Sequence, residues 1–120
     1  MNSRFCKFLV IIVGIVAFSL LALNPSFAEH GDVAKGEEIF NTICQSCHGP
    51  GGNPVLPGIP VFAKGERMDK PFAERFKSVC EGKNPAPPTP PMPPMCDSNG
   101  GPFTVDQIHD AMAFEETLKK

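Results

Sequence analysis

The chain opens on an almost unbroken apolar run, Phe8 to Leu23, and then changes to short amphipathic stretches separated by glycine- and proline-rich segments. Past Asp32, the residues Val33, Gly36, Phe40, Ile43, Cys44 and Cys47 recur at the spacing of one helix face. Asp32 is placed to cap the first N–H groups, so the pattern predicts a helix from about Val33 to Ser46 or Cys47. Gly36 inside it costs about 0.5–1 kcal/mol relative to Ala, a cost that a close helix crossing would offset. His48 to Pro60, HGPGGNPVLPGIP, predicts a loop. Val61 to Arg67 is too short to assign. A second helix follows Asp69-Lys70-Pro71, with Pro71 at an early position, Phe72, Phe76, Val79 and Cys80 on one face, and Gly82 as its stop. Residues 84–95, NPAPPTPPMPPM, cannot continue a helix and favour extended polyproline conformation. Short and set between two helices, they predict an ordered loop. The last helix has the clearest start: Thr104 to Gln107 is a capping box, flanked by Phe103 and Ile108 as a hydrophobic staple. Ile108, Ala111, Met112, Phe114 and Leu118 supply its apolar side, and Lys119 and Lys120 complement the dipole at its end. No repeat and no strand pattern is present; the expected fold class is all-α.

The first apolar run is read separately. Arg4 and Lys7 precede it, Asn24, Pro25 and Ser26 break it, and Ser26-Phe27-Ala28 ends on a small residue. That is the layout of a secretory signal peptide over residues 1–28, leaving residues 29–120 as the exported domain. The run falls short of the roughly 20 apolar residues a spanning helix needs, which argues against a retained anchor. Export predicts the periplasm or an equivalent extracytoplasmic space, with no membrane attachment after cleavage. The remaining domain is small, has no Trp or Tyr, and would gain from a disulfide, a metal or a cofactor. With Arg4 and Lys7 in the leader, 9 of the 11 basic residues stand against 13 acidic ones, a formal charge of −4. No basic stripe is present, so nucleic-acid binding is unsupported.

The chemistry lies at the end of the first predicted helix. Cys44-Gln45-Ser46-Cys47-His48 is C-x-x-C-H, the pattern of covalent haem attachment. Two thiols separated by two residues can both reach the vinyl groups on one side of a porphyrin, and the next residue then offers its imidazole to the iron. A thioredoxin-like pair would open a helix after a strand, whereas this one closes a helix. A zinc site needs a second pair at ligand spacing, which Cys80 and Cys96 do not supply. A plain Cys44–Cys47 disulfide is the other alternative. Export, motif and helix context together favour one haem c, held by Cys44 and Cys47 with His48 as an axial ligand.

Over essentially the whole exported segment the chain resembles a class I cytochrome c. Gly36, Phe40 and Cys44 to His48 match that family's first helix and attachment motif; Phe114 matches the aromatic of its last helix. Val79 to Gly82 and Met92-Pro93 match its middle helix end and methionine loop. The resemblance implies the cytochrome c fold, three to five short helices around one covalently bound haem. It also implies that a proline carbonyl, of Pro60 or Pro57, accepts from the His48 ring. Met92 is the first candidate for the sixth iron ligand, Met95 the second. Cys96 departs from the family pattern. It either pairs with Cys80 in a disulfide that clips the loop, or ligates iron as a thiolate. Met68 and Met112 are expected in the core or at the surface, His30 in solvent, and His109 on the surface of the last helix.

Two functions follow. The first is a non-enzymatic electron carrier with both axial positions filled, serving redox protein partners. The second, motivated by Cys96, is a haem subunit in a hetero-oligomer with another cytochrome or an enzyme subunit, binding a small ligand such as nitric oxide.

Overall fold

The structure is a computed structural model that describes residues 31–120; the signal-peptide reading and His30 lie outside the described residues. The first helical rod has three sections: α1 (Val33–Ile39), a π-helical turn (Phe40–Cys44) and α2 (Gln45–His48). Asp32 caps it, its carboxylate accepting from the backbone N–H groups of Ala34 at 3.0 Å and Lys35 at 3.2 Å. The periodicity predicted an unbroken α-helix here. Instead the Gln45 N–H reaches the Phe40 carbonyl, five residues back. The Thr42 hydroxyl, donating to the Glu38 carbonyl at 2.7 Å, competes for the helix's own acceptors at that turn. A π-turn of this kind re-aims the side chains that follow it, here the attachment motif.

The second helix, α3, runs Phe72–Glu81; Pro71 stands just outside it as the N-cap residue. The last, α4, runs Val105–Thr117 and begins with the expected capping box: the Thr104 hydroxyl accepts from the Gln107 N–H, and the Gln107 side chain accepts from the Thr104 N–H. Three short 3-10 turns, Pro50–Gly52, Phe62–Lys64 and Asp97–Asn99, shape the connections. Among the described residues there is no strand, only isolated bridges joining Lys83 to Met92 and Cys96 to Phe103. The described residues are all-α, as the pattern predicts. Among the described residues no helix is long and apolar enough to cross a membrane.

α1 packs most extensively against α4, and Gly36 is where they touch. A Cβ there would overlap the backbone carbonyl of Asp110, so only hydrogen fits between the helices. The Asp32 N–H adds a bond to the Asp110 carboxylate at 2.6 Å. Gly36→Ala is therefore expected to destabilise the protein by about 1–3 kcal/mol, because the overlap outweighs the gain in helix propensity. Urea unfolding checks this; an unchanged midpoint would refute the contact.

Two apolar clusters flank the crossing. Phe40, Phe62 and Leu118 form one, with Cys44, Met68 and Phe114 packed on it. Cys80, Cys96, Ile108 and Met112 form the other, joined by Phe72, Phe76, Val79, Met95 and Phe103. Val33, at the start of the predicted apolar face, is 44% exposed. His109 is not on the surface as expected. It is half-buried, with the rings of Phe72 and Phe76 set edge-on to it at 5.3 and 4.9 Å.

Candidate haem site

Cys44, Cys47 and His48 share one helix end, where α2 stops at Gly49. Both thiols are free and half-buried. Burial, reinforced by the Glu115 carboxylate, pushes the Cys44 thiol up to about 11, so it is held as the thiol rather than the thiolate. Burial also lowers the His48 pKa, favouring the neutral imidazole that a metal needs. The His48 ring stacks on Phe62 with 4.6 Å between centroids and 13° between planes. Its Nδ1 is buried with no hydrogen-bond partner. That nitrogen therefore makes no bond to the carbonyl of Pro60 or Pro57.

The candidate sixth ligands lie on the proline-rich segment. Gly82 ends α3 with φ +76°, turning the chain into that segment, and a side chain there would strike the backbone of Met92 and Pro94. Met92 is half-buried and exchanges both backbone hydrogen bonds with Lys83, at 2.8 and 2.9 Å. Met95 packs into the second apolar cluster, and its N–H donates to the Val79 carbonyl at 3.1 Å. Cys96 is fully buried and bonded to Cys80 in a disulfide. A disulfide sulfur offers iron no thiolate, so Cys96 leaves the set of candidate ligands. The proline-rich segment also meets the loop that follows His48, where Thr89 lies against Gly58.

Three residues near the motif escaped the sequence reading. Phe62 lies in a stretch too short to assign. Arg75 and Glu115 are charged residues on helices, ordinarily solvated, yet their side chains are 10% and 12% exposed. Glu115 was legible in principle: with Ile108, Ala111 and Leu118 it falls on the buried stripe of α4. Arg75 stands 3.7 Å from Glu115, bonds Glu116, touches the Met68 sulfur at 3.5 Å and lies 5.7 Å above the Phe72 ring.

Two free thiols, a buried imidazole nitrogen without a partner and an apolar cluster beside them fit a covalently held haem. No competing group of three metal-binding side chains exists among the described residues. Fold and motif define a class I c-type cytochrome. Residues 31–114 match the family model described as "Cytochrome C oxidase, cbb3-type, subunit III", and the chain belongs to that family. Its cofactor is covalently bound haem c. "Cytochrome c6, chloroplastic" of Arabidopsis thaliana is 37% identical over 51 residues, covering 38% of this chain and 29% of that protein. The chain thus aligns with under a third of the length of this curated relative. No solved structure matches it. The family and the relative support a haem c electron-transfer protein.

Proposed function

We propose that the chain is an exported one-electron carrier whose haem is thioether-linked to Cys44 and Cys47, with His48 and Met92 as axial ligands. The observation that carries this is the helix end itself: C-x-x-C-H with both thiols free and the adjoining imidazole half-buried, its pKa lowered by that burial. Haem c supplies one-electron iron chemistry when bound. The protein's part is to hold His48 neutral and fixed against Phe62 and to keep water from the apolar cluster of Phe40, Phe62 and Leu118. A thioether opposite His raises the reduction potential, which suits a carrier. Met92 is preferred to Met95 because Met95 is already committed to the cluster around the disulfide.

The test is the NMR spectrum of the reduced holoprotein. Met92→Ala is expected to remove the shifted methyl resonance of an iron-bound methionine and to lower the potential, while Met95→Ala retains the resonance. The opposite result would transfer the role to Met95. A mass equal to the bare polypeptide would remove the haem attachment altogether.

The family's description favours a second reading, a haem subunit that passes electrons inside an oxidase complex. Stable co-purification with a membrane-bound oxidase would support it. The version of that reading in which a Cys96 thiolate gives way to nitric oxide loses its motive, since that sulfur is bonded to Cys80.

A further inference from the structure

Glu115 has no part in haem attachment, yet it is a buried acid on the helix that packs against the π-turn ending in Cys44. Its carboxylate faces Arg75 from α3 at 3.7 Å, and the same guanidinium bonds Glu116, its neighbour on α4. One cation therefore answers two carboxylates. The Nε of Arg75 is buried without a partner, so the guanidinium is only partly satisfied there. Arg75 also meets the Met68 sulfur at 3.5 Å and lies over the Phe72 ring, neither of which brings charge. Burial raises the Glu115 pKa to about 7; Arg75 pulls it down by less than burial pushes it up, and Glu116 adds to the rise. α4 also contacts the π-turn that carries Cys44, and the Glu115 charge is the largest influence on that thiol after burial. Arg75, Glu116 and Cys44 are thus the titratable groups around it, and Cys44 carries one of the proposed haem linkages.

We propose that Glu115 is a proton-binding site coupled to the haem, binding a proton from water more tightly once the haem iron has received an electron. The inference rests on haem attachment at Cys44. The electron comes from the donor redox protein and ferric iron becomes ferrous. The proton comes from water and the carboxylate becomes a neutral acid. Reduction removes one positive charge from the neighbourhood of a buried carboxylate, so the carboxylate holds its proton more tightly in the reduced protein. Linkage makes the effect reciprocal: proton binding favours the electron to the same degree. The sign follows. The potential falls as pH rises through the interval between the proton affinities of the oxidised and reduced forms, and is level on either side.

The experiment is a spectroelectrochemical titration of the holoprotein at a series of pH values from about 5 to about 9, bracketing a displaced carboxylate. The wild type is expected to give a one-electron wave whose midpoint drops by about 59 mV for each tenfold difference in proton affinity between the two oxidation states. Glu115→Gln is expected to give a wave of equal size with no such drop, and Glu115→Asp to restore a pH-dependent midpoint. In 13C-labelled wild-type protein the Glu115 carboxyl resonance should titrate at higher pH in the reduced form. A level wild-type wave, an unchanged drop in Glu115→Gln, or a carboxyl resonance that titrates identically in both forms would each overturn the proposal. Where Glu115→Gln does not fold, the carboxyl resonance of the wild type decides. The absence of any wave would instead defeat the haem attachment on which the proposal rests.

Discussion

A protein carrying Cys44→Ala and Cys47→Ala, exported in cells competent for haem attachment, is expected to emerge with no covalently bound haem. Its mass should equal that of the processed polypeptide, and the haem absorption should disappear after acid–acetone extraction, which removes only unlinked haem. The loss is total because each thioether needs its own sulfur and no other free thiol stands nearby among the described residues: Cys80 and Cys96 are joined to one another. The effect should extend to folding. A domain of this length buries a limited core. Its Phe40, Phe62 and Leu118 cluster, with Cys44 packed on it, adjoins the attachment point. Anything that binds the folded state alone stabilises it, so removing the linked cofactor should lower the unfolding midpoint markedly. A double variant that keeps its haem through extraction would overturn the assignment of both cysteines.

Removing the Cys80–Cys96 disulfide has the second largest expected effect. The cystine closes a segment with a sequence separation of 16, which contains the entire proline-rich stretch and Met92. Loop-closure entropy over that length corresponds to about 3 kcal/mol of stability. Cys80→Ala with Cys96→Ala is therefore expected to lose about this amount in urea unfolding, compared with the oxidised wild type. The consequence for the site is separable from the loss of stability. The bridge joins the last turn of α3 to the residue after Met95, while Met92 is held by its two backbone bonds to Lys83. Without the bridge the segment keeps one anchor fewer, and the proposed Met92–iron bond should weaken. The resonance of the bound methionine should then broaden or vanish at temperatures where the variant is still folded. A variant as stable as the wild type, with its methionine signal intact, would show that the bridge holds neither the fold nor the ligand.

Much of the molecule is written in local pattern. The helix start at Asp32, the capping box at Thr104 to Gln107, the stop at Gly82 and the close crossing at Gly36 were all legible. Each depends on groups within a turn of one another or on a side chain that must be absent. The C-x-x-C-H motif is local in the same sense, since five consecutive residues contain all of it. The π-turn was not legible, because competition between a threonine hydroxyl and the helix for one carbonyl leaves the apolar spacing unchanged. The pairing of Cys80 with Cys96, the stacking of His48 on Phe62 and the enclosure of His109 by two phenylalanines depend on where the loops and helices come to rest.

The sequence by itself determined an all-α chain with a haem-attachment motif at a helix end and a methionine-bearing proline segment before its last helix. Only the tertiary structure decided that Cys96 is bonded to Cys80, and that Glu115 is buried beside Arg75. Periodicity and capping are properties of neighbours along the chain. Whether a sulfur is free or a carboxylate is dry is a property of neighbours in space, and Arg75 and Glu116 meet across 41 positions of sequence.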